Sequence, residues 1–161
     1  MSVDVYANQI LEQLAQSWLP AIYRTRVLTQ RTRSFNFDEL KPRTKVNIQH
    51  TLLGVELKIG KRRILCPDLA TARYLSVFAR AGCKAVAVPY DITRISHLAD
   101  ELESSWYRML LLVEEGARDK SEKFRVRLRG LLFAKIQSEI GAAGPGAKMP
   151  EFKTSTKQRR N

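Results

Sequence analysis

The sequence predicts an α/β fold: a mixed sheet of about four strands with a βαβ unit, an N-terminal helix and two long C-terminal helices. Three observations carry this expectation. Between Gly54 and Asp91 the hydrophobic period changes from strand to helix and back to strand. Two long apolar stripes at helical spacing follow, over 93–115 and 121–140. A shorter stripe of the same kind opens the chain. On this reading 1–140 form a single domain and 141–161 a flexible basic tail, too rich in Gly, Pro and Lys to bury a core of its own.

Val5, Ile10, Leu11, Leu14, Trp18 and Ile22 share most of one helical face, starting at Asp4. Pro20 should end or kink this helix, because it lacks a backbone donor and clashes with the preceding turn. Trp18, in step with Leu14 and Ile22, is expected in the core. The run VLTQRTRSFNF then alternates loosely and reads as a strand. It is preceded by Arg24 and Arg26. Arg31 and Arg33 fall on one strand face that Phe35 and Phe37 continue. Arginines interleaved with rings suit a single-stranded nucleic acid, charge meeting phosphates and rings meeting bases. The competing reading is an arginine-rich edge that discourages unwanted strand pairing. Asp38 to Pro42 reads as a loop and Val46 to His50 as a further strand. His50 has no histidine or cysteine close by in the sequence and is not read as a metal ligand.

The central stretch continues with Val55, Leu57 and Ile59 on one side of a strand, a turn at Gly60-Lys61, and a strand at Ile64-Leu65-Cys66. Leu69, Ala72, Leu75, Phe78 and Ala79 then repeat as a helix face, closed by Gly82. Ala85 to Val88 is apolar throughout, as in a strand buried on both faces. Strand, helix and strand at this length imply a right-handed crossover between parallel strands. Both strands run into a Pro-containing turn with an aspartate, Asp68 and Asp91, at the edge where open α/β sheets place ligands. Either the two carboxylates converge on a metal or polar ligand, or each caps the helix that follows. The cap is the preferred reading.

Ile92, Ile95, Ala99, Leu102, Trp106, Met109 and Val113, widened by Leu98 and Leu110, form the first long stripe. It either covers the sheet or pairs with its copy in a homodimer. Gly116 ends it. The last helix turns Phe124, Leu128, Leu131, Leu132, Ile136 and Ile140 inward, and its start is dense in positive charge. Arg125 and Arg129, one turn apart, are candidate phosphate contacts. So are Arg159 and Arg160 in the tail.

The net charge is +12, from 28 Lys and Arg against 16 Asp and Glu. Such a surface favours polyanions: nucleic acid first, an anionic membrane surface second and an acidic protein third. Two cysteines, Cys66 and Cys83, make neither a disulfide framework nor a zinc site. They are read as small core residues in a reduced, cytoplasmic protein. No window is apolar for the length of a membrane span, and the N-terminus lacks the layout of a secretory signal. Phosphate-cradling glycine loops, a zincin motif, a nucleophile elbow, an RNP1 element and a KH-type GXXG loop are all missing.

The order helix, strands, helix, strand resembles the core of the PD-(D/E)xK nuclease superfamily over about the first ninety residues. Glu56-Leu57-Lys58 matches its Glu-x-Lys element by type, and Asp38 is the acidic residue at a workable distance upstream. The resemblance implies a site of Asp38, Glu56 and Lys58 that binds magnesium and orients water. Read from the strand itself, Glu56 and Lys58 are the outward side of an alternation whose apolar members point inward. The favoured function is therefore non-catalytic nucleic-acid binding, RNA ahead of DNA, within a larger assembly and without a cofactor. The alternatives are the metal-dependent nuclease and a protein-interaction or assembly factor using the 93–115 helix.

Overall fold

The computed structural model describes residues 2–38, 40 and 44–144. Helices and strands are mixed, as the sequence predicts. Helix α1 (Val3–Leu14) is followed by a short 3-10 turn and by α2 (Leu19–Ile22), which runs on into a π-helical turn, Tyr23–Val27. Strands β1 (Thr32–Asn36), β2 (Val46–Thr51), β3 (Gly54–Ile59) and β4 (Arg62–Cys66) come next. Helix α3 (Leu69–Ala81), strand β5 (Ala85–Pro89), a 3-10 turn at Ile92–Arg94, α4 (Leu98–Gly116) and α5 (Glu122–Ala143) complete the order.

The N-terminal helix is broken earlier than its apolar stripe suggests. Ala15, at φ 49°, halts α1, and Pro20 stands in the first turn of α2 instead of ending α1. A proline costs little there, since the N–H it lacks would have no intrahelical partner. Trp18 is core, and its indole donates to the Glu139 carboxylate of α5 at 3.2 Å. Val5 is exposed, contrary to the inward position expected for it. The strand expected over the VLTQRTRSFNF run is confined to Thr32–Asn36, because Val27 already closes the π turn.

The sheet differs from the expected four-stranded mixed one. The described residues form two antiparallel sheets, an ordered meander β2-β3-β4 and a pair β1-β5. The order β4, α3, β5 is that of a βαβ unit, but β5 pairs with β1, Ser34 lying opposite Ala87. Two tyrosines account for this. The backbone N–H of Ala87 donates to the Tyr23 hydroxyl at 2.8 Å, and its carbonyl accepts from the Tyr74 hydroxyl. These groups point away from β1, so side chains from the π turn and from α3 take the bonds that a parallel neighbour would have made. Both rings are fully buried and meet Phe78. The Tyr23 hydroxyl in turn donates to the carbonyl of Gly144 at 2.8 Å, tying the end of α5 to β5.

In the meander, residues opposite one another share a face. Ile48, Leu57 and Ile64 form one row on the core side, with Val46 and Ile59 beside them. Asn47, Lys58 and Arg63, then Gln49, Glu56 and Leu65, form the outward rows. Asp68 caps α3, accepting from the Thr71 N–H at 2.7 Å, and Gly82, at φ 82°, ends it as expected. Helix α4 starts at Leu98 and not near Thr93, because the chain first makes the 3-10 turn capped by Asp91. The last helix runs to Ala143, so 141–143 belong to it and not to the tail. Its buried residues are Leu128, Leu132, Ile136 and Ile140, with Phe124 and Leu131 half-buried. Among the described residues no helix is long and apolar enough to cross a membrane.

Candidate nucleic-acid interface

The antiparallel pairing of β1 with β5 sets the start of one beside the end of the other. The Tyr90 N–H donates to the Arg31 carbonyl at 3.3 Å. A cleft of about 640 Å³ opens at this end, with Arg26, Arg31, Tyr90, Asp91, Arg94 and Ser96 in its wall. Arg33, two residues into the same face of β1, holds its guanidinium 5.8 Å from the centre of the Tyr90 ring. A second cleft, of about 650 Å³, lies between the π turn and α4 and includes Arg26, Glu101, Ser104 and Arg108.

Arg26 belongs to both walls. Its guanidinium bonds the Glu101 carboxylate and donates to the Ser96 carbonyl at 2.9 Å. The long side chain is thus a fixed partition between the clefts. It reaches both because it stands on the π turn, a one-turn widening of the helix often found at functional sites. Thr25 beside it returns its hydroxyl to the Ala21 carbonyl at 3.0 Å. Arg94 pairs with Asp91 at 3.0 Å. The Thr93 hydroxyl, with the Thr93 N–H and Arg94 adding to it, holds the Asp91 carboxyl below its usual range, so it stays ionised. Among the described residues, neither Arg31 nor Arg108 has an ion-pair partner. The two clefts thus hold the guanidiniums of Arg26, Arg31, Arg94 and Arg108 against the carboxylates of Asp91 and Glu101. The excess charge is positive.

The structure gathers some of the residues singled out from sequence and separates others. Arg31 and Arg33 come together around Tyr90. Phe35 lies under Arg62 at 5.6 Å, while Phe37 is buried and offers no platform to a base. Arg125 and Arg129 stand at the α4–α5 corner. Arg129 pairs with Glu114 at 2.8 Å and with Glu122 at 3.6 Å. Arg125 lies 3.6 Å from Glu114 and donates to the carbonyls of Ala117 and Lys120 at 3.2 and 2.6 Å, closing the corner. Arg159 and Arg160 lie outside the described residues.

Asp68 and Asp91 each act as a cap, Asp91 accepting from the Thr93 N–H at 3.2 Å. Among the described residues no three His, Cys, Asp or Glu side chains cluster as metal ligands would. Asp38 pairs with Arg62 at 3.3 Å, and Arg62 lies opposite Ile59, a core-side position. Glu56 and Lys58 are on the outward side of the same strand, with Arg63 at 3.8 Å from Glu56. Two of the three residues of the nuclease reading thus have arginine partners, Asp38 in Arg62 and Glu56 in Arg63. Sequence reasoning also passed over Tyr90, Arg94 and Arg108 as site residues. Tyr90 and Arg94 sit in the strand-end turn that was noted for its aspartate, so the ligand-edge rule could have found them. Arg108 is one more charge on the polar side of an amphipathic helix and carries no signal of its own. Comparison of the chain with protein-family models, with curated proteins and with solved structures finds no match.

Proposed function

We propose that the chain binds single-stranded nucleic acid without catalysis, RNA ahead of DNA, as a module of a larger assembly. One observation carries the reading: two adjoining clefts share Arg26 as a wall and together present four arginines, Arg26, Arg31, Arg94 and Arg108, while Arg33 lies against the Tyr90 ring of the first. Clustered guanidiniums suit phosphates, and a tyrosine ring beside them suits a base. The net charge of +12 supplies the long-range attraction. The hydroxyl and amide groups of Thr29 and Gln30 in the first cleft favour RNA, since they can pair with a 2′-hydroxyl. Arg159 and Arg160, outside the described residues, add to the positive charge of the chain. Arg125 and Arg129 make the smaller contribution, because Glu114 and Glu122 already offset them.

The test is binding of a labelled RNA of about 12 nucleotides, the matching DNA and a duplex across a salt series, with magnesium present and the products run on a gel. The single-stranded RNA should bind tightest and stay intact. An R31A/R94A double variant should weaken it, and each lost phosphate contact should flatten the log–log salt slope by about 0.7. No binding at low salt would overturn the proposal. Cut products that vanish in E56A would replace it with the nuclease.

A second reading, protein assembly through α4, is favoured by Tyr107 and Leu111. They lie one turn apart on that helix and are each 55% exposed. Sedimentation would register a self-association that L111R abolishes.

A further inference from the structure

The cleft between the π turn and α4 differs in character from its neighbour. It includes the apolar Ala21 and Ile22, together with Gln16, Glu101 and Arg108. Its volume, about 650 Å³, falls in the range of about 300–1,000 Å³ typical of small-ligand sites. Resting on the nucleic-acid reading above, we infer that this cleft is a subsite for one unstacked nucleotide whose base carries an exocyclic amine.

Three features support this. Arg108 extends into a cleft that already holds Arg26, and it has no ion-pair partner among the described residues, so its charge is available to a phosphate. Arg26 is immobilised by Glu101 and by the Ser96 carbonyl, so a phosphate entering between Arg26 and Arg108 meets one cation already in place. Glu101 bonds Arg26 through one carboxylate oxygen, and its second oxygen remains an acceptor. A carboxylate acceptor pairs with the amino group of adenine or cytosine. Uracil presents a carbonyl at that position and is repelled. The apolar side chains of Ala21 and Ile22 give the base a face to lie on. The Ser105 hydroxyl, which donates to the Ser17 carbonyl, holds α4 against the turn before α2 and keeps the wall rigid.

The experiment compares oligoadenylate with oligouridylate of equal length on the full chain, wild type against E101Q and R108Q, with R31A/R94A as the control at the first cleft. Circular dichroism checks that each variant is folded. Wild type should prefer oligoadenylate by about tenfold, the scale of one charge-assisted hydrogen bond. E101Q should lose most of that preference, whereas R108Q and R31A/R94A should weaken both ligands while keeping it. Equal binding of the two ligands by wild type, with R31A/R94A still weakening both, would overturn the subsite and leave the nucleic-acid reading standing. A preference that survives in E101Q unchanged would also overturn it. Binding of neither ligand would remove both.

Discussion

Replacing Tyr74 with phenylalanine removes a single oxygen and leaves the buried carbonyl of Ala87 without its side-chain donor. The ring stays, so Phe78 keeps its neighbour and no cavity opens. What is lost is a hydrogen bond in a fully buried position, and a buried acceptor left unmet costs about 1–3 kcal/mol. For a chain of this length that corresponds to a fall in Tm of about 2–12 °C. In urea, with a slope of about 2 kcal/mol/M, the midpoint should move by about 0.5–1.5 M at constant slope. Tyr23→Phe should cost more, because it strands the Ala87 N–H and also removes the donor to Gly144. Tyr107→Phe, at an exposed position, is the control and should stay within about 0.5 kcal/mol. A Tyr74→Phe variant as stable as the control would refute the argument that tyrosine hydroxyls complete the free edge of β5.

The same burial predicts alkaline lability. It raises the Tyr23 and Tyr74 hydroxyls and the Cys66 thiol, and pushes Cys83 from its usual 9.0 up to about 12. These groups stay protonated in the fold and ionise in the unfolded chain. Their contribution is complete below the unfolded values and is lost as pH climbs from about 9. Urea midpoints measured from neutral to about pH 11 should therefore fall, and a flat profile would contradict the burial. Asp68→Ala removes the cap on α3 and should cost about 0.5–2 kcal/mol in the same assay. With one Asp68 oxygen accepting from the Thr71 N–H, chelation by EDTA is expected to leave the wild-type Tm unchanged. A chelator-induced drop would revive the metal reading.

The elements legible in the chain are those whose signals are local. Helix α3 lies between Asp68 and Gly82 because one supplies a carboxylate to the first turn and the other tolerates a left-handed residue. The meander from Val46 to Cys66 follows from alternation and from Gly60, which takes φ 60° at the turn. The long stripes of α4 and α5 predict their buried faces, with Leu102, Met109, Leu128 and Leu132 all inside. Local signals failed where a neighbour's bonds decided the outcome. Nothing in VLTQRTRSFNF marks Val27 as the end of a π turn. Nor does Ala85 to Val88 reveal its partner, since an apolar strand declares that it is buried but not which edge it meets.

What the sequence determined by itself is the class of the fold, the order of its elements and the sign of its charge. Each follows from periods and counts that do not depend on where distant residues end up. What only the tertiary structure decided is which strands pair and which arginines remain free. Tyr23 and Tyr74 close the edge of β5, and Glu114 engages Arg125 and Arg129 from another helix. Arg26, Arg31, Arg94 and Arg108 meet across long stretches of chain around two clefts. The reason is that hydrogen bonds and ion pairs act over a few ångströms in space. The chain carries no mark of a partner that packing alone brings within reach.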